Sequence, residues 1–441
     1  MHSVLNQEIF ASRRNKLLSL LPNQSAVILL SASEKIRNRD NAYPFRQNSN
    51  FWYLSGFPED CAVIFLSRRG KKDFYMLCSK PRNPEMEIWT GHIIGPSDAK
   101  NLYAADETYS IDDAAEKIAA FLSEAEIKNI YTTFDGVELA SETQEFIQAV
   151  KAKGGAANSA NYLDIEPFES ELRLIKSIEE QNLMFEAGRI SALGHRAAML
   201  AAKPNAYEYT VQAAIEAEFR RHKGCSPAFS TIAAAGKNAC CLHYQRNSSP
   251  LKDGDLLLID AGAEYAGYAG DISRTFPING KFSRDQQALY EVVLHAQTEA
   301  IKNAKIGKTH AELHRETSIL LMQGLIDLQI IEGEAKELVE SEEAKKYYPH
   351  GTGHWLGLDT HDVGNYKEPD GQSRIYREGM TLTVEPGIYL QEQDETIPER
   401  WRGIGIRIED DIVITAQGAE VLSADAPKTI SEIEQLLAGR S

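Results

Sequence analysis

Carboxylates interrupt this chain where its strands should be purely apolar, and they do so at matching places in two successive stretches. Asp260 ends the run Leu256, Leu257, Leu258, Ile259, and Asp271 lies on the strand expected to return from the next turn. Farther along, Glu385 follows Leu382, Thr383 and Val384, while Glu409 follows Ile404, Ile406 and Ile408. A buried carboxylate has to be paired, protonated or bound to a cation, because burial penalises its charged form. For any one of these acids, exposure to solvent or an arginine partner is the ordinary explanation. Together they ask for a common counter-charge. Arg274 and Arg407 can neutralise two of them, whereas two divalent cations balance the whole set. One imidazole from residues 349–362, PHGTGHWLGLDTHD, would complete the shell, with His350, His354 and His361 as candidates. Oxygen ligation with a single nitrogen suits a hard or borderline ion such as Mn2+ better than a thiolate zinc site.

The acids fall in a repeated order of elements. Ser177 and Glu180 have capping-box spacing ahead of Leu183, Ala187, Ile190 and Ala197, which predicts a long amphipathic helix. Asn205 and Glu208 repeat that spacing for a second helix through Ile215 and Phe219, with Gly224 placed to end it. Strands are expected at 255–261 and 268–276. The order returns as helices at 283–304 and 309–326 and strands at 380–389 and 405–415, a structural duplication and not a solenoid repeat. The acidic segment 332–343 reads as a solvated helix face. Upstream, apolar runs at 25–32, 61–67, 74–78 and 130–134 alternate with helical patterns at 7–21 and 113–122, the grammar of an α/β domain. A Gly/Asn/Ser stretch at 154–161 leads to a boundary near residue 170, so domains 1–170 and 171–441 are expected.

With 441 residues, 43% of them hydrophobic, the chain can bury two or three ordinary cores. Its formal charge of −17 repels phosphate backbones and anionic lipid, which disfavours nucleic acid and membrane as partners. No run nears the ~18 consecutive apolar residues that a membrane span requires. The start, MHSVLNQEIFASRR, lacks an apolar signal stretch, so a cytoplasmic location is expected. The five scattered cysteines, without metal-finger spacing, fit reduced core thiols.

Longer segments are distinctive in combination. They are YPFRQNSNFWYLSGF at 43–57 and EIWTG at 87–91, then NACCLHYQRN at 238–247 and LLIDAGAEYAGYAGDISRTFP at 257–277. HGTGHWLGLDTHDVG at 350–364, TVEPGIY at 383–389 and GIGIRIEDD at 403–411 complete the set. On these segments the chain resembles the bacterial aminopeptidase P (Xaa-Pro aminopeptidase) branch of the pita-bread metallopeptidases over nearly its whole length. The resemblance implies an α/β amino-terminal domain plus an α+β pita-bread catalytic domain with pseudo-twofold duplication. It also implies that Asp260, Asp271, His354, Glu385 and Glu409 hold two Mn2+ per chain, with Co2+, Fe2+ or Zn2+ as other candidates. Asp271 and Glu409 would bridge the ions, and a hydroxide between them would attack the scissile carbonyl.

By the same resemblance, His243 and His361 hold the substrate and the tetrahedral intermediate, with His361 near the scissile carbonyl oxygen; His350 lies near the proline side, and Tyr389, which ends TVEPGIY, is a further substrate-binding candidate. Glu385 would also shuttle the water proton to the leaving nitrogen, and Arg407 would orient Glu409. Trp89, in EIWTG, is expected to reach a neighbouring protomer's active site, with a buried core aromatic as the plain alternative, and Asp40 is a weaker candidate for that rim. The implied reaction is hydrolysis between an N-terminal residue and a penultimate proline in Xaa-Pro-Xaa peptides, by a homo-oligomer, tetramer or dimer. A dipeptide-restricted prolidase and a catalytically inactive interaction protein are the alternatives. Phe229, where some relatives have tyrosine, and Ala233, Ala234, Ala235 and Ala239 depart from the pattern near His243. Two look-alikes are set aside. HAELH at 310–314 misplaces the glutamate of a HExxH zinc site, leaving His310 and His314 as surface histidines, and GxGxxxG at 351–357 lacks a dinucleotide-binding context.

Overall fold

Every residue of Ser25–Leu30, SAVILL, is apolar or small, and such a strand needs cover on both faces. It is an inner strand of a six-stranded sheet in the first of two units, Met1–Leu172 and Arg173–Ser441. The computed structural model describes residues 5–69, 72–223 and 225–439. In the first unit the strands are β1 (Ser25–Leu30), β2 (Val63–Arg69), β3 (Lys72–Ser79), β4 (Glu107–Ser110), β5 (Asn129–Thr132) and β6 (Asn161–Asp164), in spatial order β6-β5-β1-β2-β3-β4. The sheet is mixed: β2 runs antiparallel to β1 and β3, while β5 runs parallel to β1 and β6. Ile28, Phe65, Met76 and Ile130 pack with Ile118 and Leu122 of the helix Ala114–Glu124 in one core. The glycine-rich stretch expected as a connector is followed by β6, whose Asn161 pairs with Asn129, so this segment belongs to the first unit's sheet. Its alternating exposure is that of an edge strand, too short to stand out as a periodic run.

In the second unit, helices α1 (Ile178–Ala201), α2 (Glu208–Arg221), α3 (Arg284–Asn303) and α4 (His310–Asp327) form two successive pairs. The expected capping box opens α1: Ser177 N donates to Glu180 Oε2 at 2.9 Å and Glu180 N donates to Ser177 Oγ at 3.4 Å. Ser283 with Gln286 and Thr309 with Glu312 do the same for α3 and α4. At α2 the expectation fails. Asn205 adopts φ 70° in the preceding turn, Tyr207 is the N-cap, and Glu208 turns inward, fully buried. Gly224 lies outside the described residues.

After the first helix pair come β7 (Ile232–Ala235), β8 (Leu256–Ala261) and β9 (Ile272–Pro277), an antiparallel sheet in that order. After the second come β10 (Thr381–Val384), β11 (Gly387–Leu390), β12 (Ile404–Arg407), β13 (Asp410–Thr415) and β14 (Gly418–Val421), with ladders β10-β13-β14 and β11-β12. Each expected long strand of this half is therefore broken, one at Glu385–Pro386 and the other at Ile408–Glu409. The breaks face each other between the Val384–Asp410 and Gly387–Arg407 pairs. Pro386 has no N–H to continue a ladder, and its carbonyl accepts from Ile408 N instead. The acidic segment is likewise not one helix: Glu342, at φ 66°, separates Ala335–Glu340 from a single 3-10 turn. Among the described residues no helix is long and apolar enough to cross a membrane. All cysteines are unpaired, and Cys61 and Cys241 are exposed instead of packed in a core.

His195 of α1 is fully buried, with Nε2 3.0 Å from Ala261 O and no partner at Nδ1 among the described residues. Burial lowers its pKa from 6.5 to about 4. The native state thus binds fewer protons than the unfolded chain, and this contribution is complete above pH 6.5 and lost as pH falls toward 4. Urea unfolding should show a loss on the order of 3 kcal/mol across that window. His195→Gln, which keeps a donor for the carbonyl, should flatten the fall; identical pH profiles would reject this assignment.

Candidate metal centre

Three of the four acids sit where a strand stops. Glu385 and Glu409 occupy the facing breaks, and Asp271 precedes β9, while Asp260 alone lies within a strand, paired with Ser273. Leaving the ladder frees the backbone for other partners: Glu409 N donates to Ser273 O at 3.1 Å, and Asp271 N donates to Asp411 Oδ2 at 3.0 Å. The histidine-bearing segment reaches the site because Gly353 has no side chain. A Cβ there would stand 1.8 Å from Thr383 O. With that approach open, Thr383 N donates to His354 O at 2.9 Å and Glu385 N to Thr352 O at 2.8 Å.

The side chains then converge. His354 Nε2 lies 3.4 Å from Asp271 Oδ2 and 3.8 Å from Glu385 Oε1. Ligand atoms of Asp271, His354 and Glu409 all fall within 4.8 Å of one another. Asp271 and Glu409 are buried, yet Asp271 Oδ1 and Asp260 Oδ1 have no hydrogen-bond partner among the described residues. Burial, and then the neighbouring carboxylates, push Asp271 and Glu409 well above the usual carboxylate range. Glu385 is pushed up to about 8, chiefly by burial, with Arg407 opposing and Asp260 adding to the rise. His354 is lowered to about 4 by burial, so its ring is neutral, and its Nδ1 lies 3.0 Å from Trp355 O, leaving Nε2 directed at the carboxylates. Orphaned buried oxygens, mutually repelling acids and a neutral imidazole held by its other nitrogen form a donor set that fits divalent cations.

Arg407 is the cation that stands at this cluster. Its Nη2 meets Asp260 Oδ2 at 2.7 Å and its Nε donates to Ser273 Oγ at 2.8 Å, and the Ser273 hydroxyl donates to Glu409 Oε2 at 2.8 Å. Arg407 therefore reaches Glu409 through Ser273. Its Nη1 donates to Tyr389 OH at 2.9 Å, which leaves the phenol proton for His350 Nε2 at 2.7 Å, and His350 Nδ1 lies 2.8 Å from Gly351 O. Burial lowers His350 to about 3, so this ring too is neutral. Arg274, the other expected neutraliser, instead pairs with Asp410 at 2.7 Å. The two acids differ because Glu409 lies in the strand break, where it accepts from the Ser273 hydroxyl, whereas Asp410 begins β13 and is held by Lys428, Gln297 and Ser423.

A cavity of about 490 Å³ opens over the cluster, walled by Phe229, Ile232 and Leu242 on its apolar part and by His243, His350 and His361 on its polar part. The His361 ring lies 4.2 Å from that of His354. The side chain of its neighbour Asp362 is buried and clamped by Arg173 and by Lys176 Nζ at 2.9 Å. Sequence reasoning passed over Ser273, Asp362 and Asp411. Only the acid run of GIGIRIEDD and the HD pair of the histidine segment hinted at the last two. The site residues of the second unit are thus brought to one place, with Tyr389 behind the cavity wall. Trp89 and Asp40 belong to the first unit. Trp89, on the helix Pro84–Thr90, is 84% exposed beside Ile88, which excludes the buried-aromatic alternative, and Asp40 is exposed in a hairpin turn.

The look-alike histidines are not surface residues. His310 Nδ1 lies 3.2 Å from Tyr376 OH and His314 Nδ1 lies 3.1 Å from Thr352 Oγ1, both half-buried on α4. No helix follows the 351–357 glycines, whose spacing reflects the approach at Gly353.

Comparison with known proteins bears on both units. A model of metallopeptidase family M24 matches residues 182–416, and a model of the aminopeptidase P N-terminal domain matches residues 10–131. The Xaa-Pro aminopeptidase of Haemophilus influenzae is 42% identical over 433 residues, covering 98% of both chains. That of Escherichia coli K12 is 38% identical over 439 residues, covering 99% of this chain and 98% of its own. Among solved structures, Pseudomonas aeruginosa aminopeptidase PepP superposes with a TM-score of 0.93 at 40% identity, covering 100% of this chain and 99% of that one. Zinc-substituted E. coli aminopeptidase P in complex with product gives 0.93 at 36% identity, covering 99% of each.

Proposed function

The chain belongs to metallopeptidase family M24 and carries an aminopeptidase P N-terminal domain, and from that membership we propose that it removes the N-terminal residue from peptides whose second residue is proline. It is a metalloexopeptidase, an Xaa-Pro aminopeptidase on a pita-bread fold. The observation that carries the chemistry is the convergence of Asp271, His354 and Glu409 around oxygens that have no hydrogen-bond partner among the described residues.

Asp260, Asp271, His354, Glu385 and Glu409 would hold divalent ions, two Mn2+ in this reading. Such ions polarise a carbonyl and lower the pKa of a water. Glu385 takes the proton of the attacking water as the C–O bond forms and returns it to the proline nitrogen, whose C–N bond breaks when the tetrahedral intermediate collapses. His243 and His361 hydrogen-bond the substrate and the tetrahedral intermediate from the cavity wall. His350, neutral and backed by Tyr389, offers an uncharged ring to the proline side. The scissile bond is a tertiary amide without an N–H, so recognition rests on ring shape and carbonyl position instead of a backbone donor. Exposed Ile88 and Trp89 support assembly into a homo-oligomer, and unpaired cysteines support a reducing, cytoplasmic setting.

Chelator-stripped protein, reloaded with Mn2+, is expected to cleave Xaa-Pro-Xaa, with Xaa-Ala-Xaa and the dipeptide Xaa-Pro poor by comparison. Metal analysis should give about two ions per chain, and light scattering a mass above that of one chain. Cleavage confined to Xaa-Pro would make it a prolidase, and turnover unaffected by the chelator would overturn the metal reading.

A further inference from the structure

Glu208 is a buried carboxylate that the reaction leaves unused. It opens α2, has no exposed surface, and pairs with no basic side chain among the described residues. Instead it gathers four hydrogen bonds. Its Oε1 accepts from Ala235 N at 2.8 Å and Asn238 Nδ2 at 2.9 Å, and its Oε2 from Tyr244 OH at 2.8 Å and Ser249 N at 2.7 Å. A carboxylate is acceptor-only, with about four lone-pair sites, so the donors match its capacity. All come from the segment running from the end of β7 through residue 249, which has no helix or strand of its own between Cys241 and Ser249.

That segment forms the cavity wall. Leu242, His243 and Gln245 line the cavity, and His243 and Gln245 are exposed on either side of the half-buried Tyr244. A second anchor follows. Asn247, buried at φ 46°, accepts from Ala233 N at 2.9 Å and donates to Thr231 O at 2.7 Å and to Gln212 Oε1 at 2.9 Å. His243 is thus carried by chain that is tied down next door, at Tyr244, to Glu208.

We propose that Glu208 is the positioning residue for His243, acting through Tyr244 and the backbone of the 235–249 segment; the proposal rests on His243 holding the substrate and the tetrahedral intermediate. Catalytic groups lose rate steeply when displaced, and hydrogen bonds to a buried carboxylate are the strong, geometrically demanding kind. Glu208→Gln keeps the shape but turns one acceptor edge into an amide donor, facing donors it cannot satisfy. Tyr244→Phe leaves the carboxylate in place and removes only the hydroxyl, which donates to Glu208 and also meets Asn238 Nδ2 at 3.1 Å and Ser249 Oγ at 3.3 Å; it carries the test should Glu208→Gln fail to fold.

The experiment measures kcat and KM on Xaa-Pro-Xaa, with metal content, for Mn2+-loaded wild type, Glu208→Gln, Tyr244→Phe and His243→Ala, and for each of the first two combined with His243→Ala. Both positioning variants are expected to keep the wild-type metal content and lose about tenfold to a hundredfold in kcat/KM. Their division of the loss between kcat and KM should follow that of His243→Ala, and neither should add a loss in the His243→Ala background. Wild-type kinetics in the positioning variants beside an impaired His243→Ala would overturn the proposal alone, as would losses that multiply in the doubles. An unimpaired His243→Ala would instead reject the role of His243 on which the proposal stands.

Discussion

Asp271→Asn is expected to make the metal-free protein more stable while abolishing its turnover. Asp271 is buried against Glu409 and His354, and Asp260, Asp411 and Glu385 add to the negative field it feels. Without a cation the fold must carry these acids in a medium that penalises charge, either by protonating them or by bearing their repulsion. An amide of the same shape removes one charge and brings a donor for a neighbouring carboxylate, a gain of about 1–3 kcal/mol in metal-free denaturant unfolding. The same change deletes a ligand. Charge stabilisation by bound metal is worth several kcal/mol in the transition state, so kcat/KM should fall by ~10³-fold or more. Wild type should gain about 2.7 kcal/mol of stability at Mn2+ a hundredfold above its dissociation constant, and the variant far less under the same conditions. A metal-free variant less stable than wild type, or equal stabilisation of both by Mn2+, would show that these carboxylates are not assembled for a cation.

The second large effect lies just behind the site. Arg274 is fully buried and reaches across the duplicated halves: its Nη2 meets Asp410 Oδ1 at 2.7 Å, its Nε donates to Pro427 O at 3.0 Å, and its Nη1 donates to Ser273 O and Glu409 O. Asp410 also accepts from Lys428 Nζ at 2.6 Å, Gln297 Nε2 at 2.7 Å and Ser423 Oγ at 2.7 Å. Burial alone would raise the Asp410 pKa, and Arg274 and Lys428 overcome it, holding the group at about 2. Arg274→Leu takes from buried Asp410 its buried cation, leaving the partly exposed Lys428, and removes the donor of several buried carbonyls at once, which should cost about 3–5 kcal/mol in urea unfolding. Because Arg274 also holds the carbonyls of Ser273 and Glu409, Mn2+ affinity should weaken about 10–100-fold in whatever fraction folds. A double-mutant cycle with Asp410→Ala should return a coupling of about 1–3 kcal/mol, and additive losses would dismiss the network as a unit.

The elements legible in the sequence were those written by local rules. The cap read at Ser177 announces its helix, and the helix starts expected at 283 and 309 prove to carry the same box, since a hydroxyl three residues before a Glu or Gln is enough to satisfy the first turn. The cap expected at Asn205 failed for a tertiary reason: Glu208, which local rules assign to a capping box, is claimed by donors from residues 235 to 249. The strand breaks at Glu385 and Glu409 were hidden as well. Apolar residues flank both, Pro386 marks only the first, and the pairing of the facing strand shows that the ladder opens at both.

What the sequence determined by itself was the inventory: acids set in apolar runs, a histidine segment, a duplicated order of elements, and family motifs specific enough to name the fold and the reaction. Pairing was left to the tertiary structure. Arg407 and Arg274 are equivalent in the sequence, each in a strand beside an acid, yet one faces Asp260 and the other Asp410. Trp89 is compatible with a core or a surface from its neighbours alone, and it is exposed. The reason is physical. Periodicity and capping depend on residues a few positions apart, whereas the partner of a buried charge is chosen by whichever chain segment is brought within about 4 Å of it, and that is settled only when the two halves of the fold close on each other.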